Sequence, residues 1–216
     1  MGNLNLYVVR HGETLLNKLR RNQGWIDSDL TKEGIWALDT LYSSIKLPSI
    51  DAVFCSDLGR AKETFSIIQK YCDVNQVNVF YTPLLRERFL GSFEGIDLLE
   101  TRKNIAEKAG FDSYSSLLAN KSLAYFIDST KKYDPNNLAE DFTEFSERVN
   151  EILSTIKKSA DTNNWENILV VSHANPVSYI IDTLINNEEF IIEEVEIKNG
   201  QMIHLQQNVN EWKIVN

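Results

Sequence analysis

Short runs of β-branched and apolar residues alternate along this chain with longer stretches whose apolar positions recur every three or four residues. Buried parallel strands read as near-continuous apolar runs, whereas helices packed on them show a single apolar stripe. The pattern therefore predicts an α/β fold: a three-layer α/β/α sandwich around a mostly parallel central sheet. Residues 4–9 (LNLYVV), 51–55 (DAVFC), 77–81 (VNVFY) and 168–171 (ILVV) read as its strands. Residues 201–206 and 211–215 read as a hairpin turned at Asn208-Val209-Asn210, which gives the sheet an antiparallel edge. Thr31 is placed to cap a helix over 32–45, with Glu33 in the first turn, where the helix dipole favours a carboxylate. Ser56 or Asp57 is placed to cap a second helix running through Arg60 and Thr64 to about Lys70. Phe142, Phe145, Val149, Ile152, Leu153 and Ile156 mark a long amphipathic helix. Between about 96 and 140 the rhythm breaks into polar, mainly helical sequence without a buried strand. This stretch reads as a helical insertion, a lid over the strand ends, within a single domain spanning 1–216.

Composition narrows the picture. The chain has 216 residues, with 22 Lys+Arg against 31 Asp+Glu, a formal charge of −9. That balance argues against sequence-independent nucleic-acid binding and against an anionic membrane surface. No apolar run reaches the ~18 residues of a membrane span, and the first residues lack the basic and apolar regions of a secretory signal. Leu6 stands where a myristoylation signal needs Ser or Thr. Cys55 and Cys72 have no metal-ligand spacing and are too few for a disulfide framework. The expected setting is cytoplasmic, the expected state a monomer or homodimer. At this level the charge also speaks against a strongly anionic substrate.

The chemistry-bearing residues reverse that last point. Arg10-His11-Gly12-Glu13-Thr14 falls where the first strand ends, and Ser172-His173 where the ILVV strand ends, just before a helix at Pro176. Arg60 lies one turn into the helix after DAVFC. In open α/β sheets, ligands bind outside the carboxyl ends of the strands. Three junctions thus deliver cations or imidazoles to one sheet edge, with Asn17 and Gln23-Gly24 on the loop after His11 as further donors. Guanidinium forks and backbone approach at a glycine suit a phosphate group. His204, the third histidine, alternates with Met202 and Gln206 on a late strand and reads as structural.

Together these segments resemble the histidine phosphatase superfamily, in its phosphoglycerate mutase-like branch. The likeness rests on five motifs in order: Arg10-His11-Gly12-Glu13-Thr14 with Asn17; Gln23-Gly24 through Leu30-Thr31, Gly34 and Ala37; Ser56-Asp57-Leu58-Gly59-Arg60-Ala61 with Thr64; Leu85-Arg86-Glu87-Arg88 with Gly91, Glu94 and Gly95; and Val170-Val171-Ser172-His173. The resemblance implies that His11 is a nucleophile forming a phosphohistidine. It implies that Arg10, Arg60 and His173, with Asn17, bind the transferring phosphoryl group, and that Glu87 is the general acid and then the base. Thr14, Gln23, Gly24, Ala174, Arg86 and Arg88 are the remaining expected substrate contacts. Two arginines and a second imidazole supply charge that other phosphoryl-transfer enzymes take from magnesium, so no metal and no cofactor are implied. The chain departs from the family pattern at Leu16, Asp29, Ala139-Glu140-Asp141 and Ala174-Asn175.

The expected reaction is hydrolysis of a phosphomonoester on a small phosphorylated metabolite. A cofactor-dependent phosphoglycerate mutase is the alternative. Mutases that resemble this chain carry a lysine shortly after the acid motif, where Leu98 stands here, and a paired arginine in the insertion, whereas residues 110–140 contain none. LLRERFLGSFEG followed by Glu100-Thr101-Arg102 is similar to fructose-2,6-bisphosphatase-like enzymes, and Arg20, Arg21, Arg86, Arg88 and Arg102 are available for a second anionic group. An inactive phospho-ligand-binding module is the reading from another class.

Overall fold

The computed structural model describes residues 4–73, 78–185, 197–208 and 211–215. In chain order these form β1 (Asn5–Arg10), α1 (Leu15–Lys18), α2 (Lys32–Ser44), β2 (Ala52–Ser56), α3 (Gly59–Ile68), β3 (Asn78–Thr82), α4 (Leu98–Lys108), α5 (Tyr114–Asn120), α6 (Leu123–Tyr133), α7 (Phe142–Asn163), β4 (Asn167–Ser172), α8 (Ala174–Ile185), β5 (Met202–Asn208) and β6 (Glu211–Val215). The expected start of the third strand at Val77 and the turn residues Val209-Asn210 lie outside the described residues, as do Met1–Asn3.

One six-stranded sheet runs in the order β3-β2-β4-β1-β5-β6. The β1–β4, β2–β4 and β2–β3 pairs are parallel, while β1–β5 and β5–β6 are antiparallel, so the antiparallel edge is a two-stranded hairpin. Period-two alternation sorts the strand residues into two cores. Leu6, Val8, Phe54, Ile168 and Val170 pack beneath Phe145, Val149 and Ile156 of α7 and Val177 and Ile180 of α8. Tyr7, Val9, Val53, Leu169 and Val171 face Leu38 and Tyr42 of α2 and Phe65 and Ile68 of α3. Helices cover both faces, which is why the central runs are apolar at every position. Truncating a fully buried member such as Leu6 to Ala costs about 2–5 kcal/mol. At the far edge, the side chains of β3 are mostly exposed.

Thr31 caps α2 as the sequence implies, accepting from the Gly34 amide. The cap of α3 is different. Its N-cap residue is Leu58, without a side-chain bond; Ser56 Oγ accepts from the Leu58 amide, which lies before the helix, and Asp57 pairs with Arg86. The carboxylate of Asp27, 32 residues before Gly59, takes the Gly59 and Arg60 amides instead. Local sequence cannot show a cap delivered by a tertiary contact. Helices α4–α6 bury Ile105, Ala106, Leu117 and Phe126 in a small core of their own, and their inner side walls the cavity described next.

Candidate active site

Strand register builds the site. In the parallel β1–β4 pair Arg10 lies opposite Ser172, and in β2–β4 Cys55 lies opposite Val171. The residues that follow, His11, His173 and Ser56, therefore emerge side by side at the carboxyl edge. The two imidazole centroids are 5.0 Å apart. A cavity of about 570 Å³ opens there, walled by Arg10, His11, Asn17, Gln23, Gly24, Arg60, Glu87, Arg88, Ala174 and Asn175 on one side and by α4–α6 on the other.

His11 is 3% exposed, and its Nδ1 lies 2.7 Å from the Gly12 carbonyl oxygen. A carbonyl only accepts, so Nδ1 carries the hydrogen and Nε2 is left with its lone pair. Burial, and then the charges of Arg60 and Arg10, hold the imidazole pKa well below its ordinary value, against the opposing Gly12 bond. The Gly12 amide donates to Thr64 Oγ1 at 3.0 Å, which anchors the loop to α3.

Arg60 is 1% exposed and almost fully engaged. Nε donates to His173 Nδ1 at 3.2 Å, Nη1 to Ile26 O at 2.8 Å and Asp27 Oδ1 at 3.2 Å, and Nη2 to Gly24 O at 2.7 Å. A guanidinium has five N–H donors, so four acceptors leave one Nη2 hydrogen for a ligand. Because His173 Nδ1 accepts from Arg60, its other nitrogen carries the hydrogen and donates to Ser56 Oγ at 2.8 Å. Burial, Arg60, His11, Arg10 and Arg148 all lower its pKa, so this imidazole is neutral. His173 is fully buried behind Arg60 and does not line the cavity. Held neutral, it does not add the cationic charge expected of it.

The other expected contacts divide. Arg10 lines the cavity and its Nη1 donates to the Ile197 carbonyl. Asn17 lines it too; its Oδ1 accepts from Thr14 Oγ1 at 3.0 Å and from Asn199 Nδ2 at 3.2 Å. Thr14 is fully buried, caps α1 and stands outside the lining. Gly24 sits at φ +56, a conformation natural to glycine, and a Cβ there would strike the Glu94 carboxylate. Glu94 accepts from the Trp25, Ile26 and Leu90 amides and so fixes the loop carrying Gln23-Gly24. Burial raises its pKa against those three bonds. Gln23 Oε1 is buried in the cavity wall with no hydrogen-bond partner.

Glu87 is held by its carboxylate: Oε1 accepts from the Arg88 amide at 2.8 Å and from Asn175 Nδ2 at 2.9 Å. Asn175 thus supplies a contact from the position where the family pattern differs. Arg86 is not part of the cavity. It forms a two-pronged pair with Asp57, at 2.7 and 2.6 Å, and lies over the Trp25 ring. Trp25 also stands outside the lining, and its Nε1 donates to the Glu87 carbonyl at 2.8 Å. His204 stacks on Tyr7 at 4.4 Å and pairs with Asn5, away from the site.

Sequence reading missed three supports. Asn199 donates to the carbonyls of His11 and Gly12 at 3.1 and 3.3 Å. Its only local signal is the Asn199-Gly200 turn dipeptide, with Gly200 at φ +76. Asp27 serves Arg60 and α3 together. Arg148 of α7 binds the backbone around Glu87 and pairs with Glu140 at 2.8 Å. No helix among the described residues is long and apolar enough to cross a membrane, and no group of three or more His, Cys, Asp or Glu among them is arranged to hold a metal ion.

An α/β sandwich with an Arg-His pair and a second histidine at adjacent strand ends defines a phosphate-handling class of site. Residues 6–216 match the model of the histidine phosphatase superfamily (branch 1), and the chain belongs to that family. Its structure is similar to that of phosphoglycerate mutase from Bacillus anthracis, with TM-score 0.89 and 29% identity, over 100% of this chain and 92% of that one. The adenosylcobalamin/alpha-ribazole phosphatase of Salmonella typhimurium is 28% identical over 182 residues, 84% of this chain and 80% of that protein. A Schizosaccharomyces pombe protein named as a probable phosphatase is 34% identical over 101 residues, so that match covers about half of each chain, 46% of this one and 47% of the relative.

Proposed function

We propose that this protein is a phosphomonoesterase that works through a phosphohistidine on His11, with no metal ion, on a small phosphorylated metabolite. The observation that carries the reading is the His11–Gly12 hydrogen bond, which leaves a neutral imidazole with a free Nε2 lone pair between two arginines. Nε2 attacks phosphorus as the bond to the leaving oxygen breaks, and Glu87 gives that oxygen its proton. Water then attacks the phosphohistidine, Glu87 takes a proton from it, and inorganic phosphate leaves with Nε2 restored. Arg10 and the remaining Arg60 hydrogen offset charge on the equatorial oxygens, which is the main catalytic contribution in phosphoryl transfer. Asn17 and the Gln23-Gly24 loop complete the cradle. His173 acts by holding Arg60 in line rather than as a cation.

Relatives named as phosphatases support hydrolysis. The test is an alkaline denaturing quench: wild type mixed with ³²P-labelled substrate yields a labelled protein whose label is acid-labile and alkali-stable, and His11→Ala does not. Equal slow turnover by both proteins overturns the proposal and favours a binding module.

The 0.89 TM-score to a phosphoglycerate mutase favours mutase activity as a second reading. Against it, Leu98 lines the cavity where such mutases carry a lysine. Incubation of 3-phosphoglycerate with catalytic 2,3-bisphosphoglycerate separates the two. Release of inorganic phosphate supports the phosphatase, and 2-phosphoglycerate formed at enzymatic rates supports the mutase.

A further inference from the structure

The two carbonyls that follow the nucleophile, those of His11 and Gly12, are both taken by one side chain from near the other end of the sequence. Asn199 Nδ2 donates to them at 3.1 and 3.3 Å, and to Asn17 Oδ1 at 3.2 Å. Asn199 stands in the turn that leads into β5. The Gln201 amide closes this turn on the Lys198 carbonyl at 3.0 Å, and the Gly200 amide donates to the Arg10 and His11 carbonyls at 3.0 and 3.1 Å. Gly200 holds the left-handed position at φ +76, and Asn199 does not share it. A turn of this kind demands glycine only at its third position. Backbone conformation therefore does not account for asparagine at 199, whereas its amide does. The acceptors that it meets have further partners. Gly12 O also receives the His11 Nδ1 hydrogen at 2.7 Å, the bond that leaves Nε2 with its lone pair. Asn17 Oδ1 also receives the Thr14 amide at 3.2 Å and Thr14 Oγ1 at 3.0 Å. With three donors on its oxygen, the Asn17 amide cannot turn over without setting N–H against N–H. Its NH₂ end is thus the one left for the cavity that Asn17 lines. Reversed, Asn17 would set an oxygen against the oxygens of a phosphoryl group.

We propose that Asn199 is a positioning residue for phosphoryl transfer: it fixes the Gly12 carbonyl that selects the His11 tautomer, and it holds the Asn17 amide with its NH₂ toward the phosphoryl oxygens. One side chain thereby keeps the nucleophile and a phosphate donor in a fixed relation on an irregular loop. The proposal deepens the phosphatase reading and rests on it for turnover. The orientation of Asn17 and the tautomer of His11 are measurable without turnover.

Calorimetry with inorganic phosphate tests the Asn17 half. Asn199→Ala should weaken affinity about 3- to 10-fold, the scale of one lost hydrogen bond. In an Asn17→Ala background the same substitution should change affinity by less than about 2-fold, because the donor it orients is gone. A purely structural effect on the loop would instead appear in both backgrounds. Additive losses, or unchanged affinity in Asn199→Ala, overturn this half. Long-range ¹H–¹⁵N spectra test the His11 half. Wild type should carry the hydrogen on Nδ1, and Asn199→Ala should show a mixture with hydrogen on Nε2. A His11 tautomer unchanged by the substitution overturns that half. Should Asn199→Ala fail to fold, Asn199→Ser keeps a turn-forming side chain that is too short to reach three acceptors, and both measurements apply to it unchanged. Absence of turnover by wild type overturns hydrolysis alone. A phosphate affinity coupled through Asn17 would still support Asn199 as the orienting residue, and an uncoupled one would still overturn it.

Discussion

Arg148 holds the backbone on which Glu87 is mounted: its Nη2 donates to the Glu87 carbonyl at 3.3 Å while Nη1 takes the Leu84 and Arg86 carbonyls at 2.8 and 2.9 Å. Glu140 completes the clamp, pairing with Arg148 through both oxygens and accepting the Phe89 amide at 2.8 Å. The acid segment between Leu85 and Leu90 is irregular, so this pair does the work that strand hydrogen bonds do elsewhere. Arg148→Met leaves a half-buried carboxylate and three carbonyls unpaired, and is expected to cost about 3 kcal/mol of stability. As a positioning residue for a general acid, it should affect alkyl phosphates more than aryl phosphates, whose leaving groups need little protonation. A kcat loss of about 10- to 100-fold on glycerol 2-phosphate, within the usual range for general acid catalysis, with a much smaller loss on p-nitrophenyl phosphate is the expected result. Equal losses on both would assign Arg148 to folding alone.

Both site histidines are held neutral by burial and by neighbouring arginines. Unfolded, each takes up a proton as pH falls through about 6.5; folded, each stays neutral to well below that. The unfolded state then binds more protons, so stability is lost as pH drops from about 7 towards the folded pKa values. The expected slope is about 1.4 kcal/mol per pH unit for each histidine. Urea unfolding at pH 7.5, 6.5 and 5.5 measures it, and His173→Gln should remove about one histidine's share. Imidazole ¹H–¹³C shifts offer a direct check, with only three histidines to assign. A His11 or His173 resonance titrating near 6.5 in the folded protein contradicts the site electrostatics derived above.

Gly24 joins backbone conformation to phosphate chemistry. Its carbonyl holds Arg60 Nη2 at 2.7 Å, and its φ of +56 with Glu94 packed against it leaves no room for a side chain. Gly24→Ala should cost about 1–3 kcal/mol through strain and displacement of Glu94. It should also weaken binding of vanadate or inorganic phosphate, because Arg60 loses a fixed partner. Unchanged anion affinity would show that the loop does not set the position of Arg60.

Much of this arrangement is legible in the sequence, and the reason is topological. Strands buried on both faces announce themselves as apolar runs, and residues just beyond their ends must meet at one edge of a parallel sheet. His11, His173 and Arg60 follow from that rule alone. Roles that depend on irregular backbone do not. Arg86 and Arg88 are two residues apart in one charged run, a spacing that would put both on one face of a strand. The segment is not a strand, and the two guanidinium groups part company, one to Asp57 and Trp25, the other to the cavity and Phe126. The neutrality of His173 was equally hidden, since it follows from which nitrogen faces Arg60.

That division yields a prediction that sequence similarity alone would get wrong. Arg86→Met should cost stability, as it breaks a pair whose members are about one-quarter exposed, yet leave KM for a small phosphomonoester such as glycerol 2-phosphate unchanged. A KM raised severalfold would place Arg86 in contact with substrate after all.

Asp27 joins two functions that are usually separate. Its carboxylate caps α3 through the Gly59 and Arg60 amides and pairs with the Arg60 side chain at 3.2 Å, so one residue fixes both the backbone and the guanidinium of the same arginine. Removing the cap should cost about 1 kcal/mol, a moderate loss of stability. Removing the side-chain pair frees a second Arg60 hydrogen and lets the guanidinium turn, although Ile26 and Gly24 still hold it. Asp27→Asn keeps a side-chain oxygen for the amides while losing the charge; Asp27→Ala loses both. Comparable melting temperatures for wild type and Asp27→Asn, with lower kcat in Asn and a further fall in both quantities in Ala, would separate the capping role from the electrostatic one. Equal kcat in wild type and Asp27→Asn would leave only the cap.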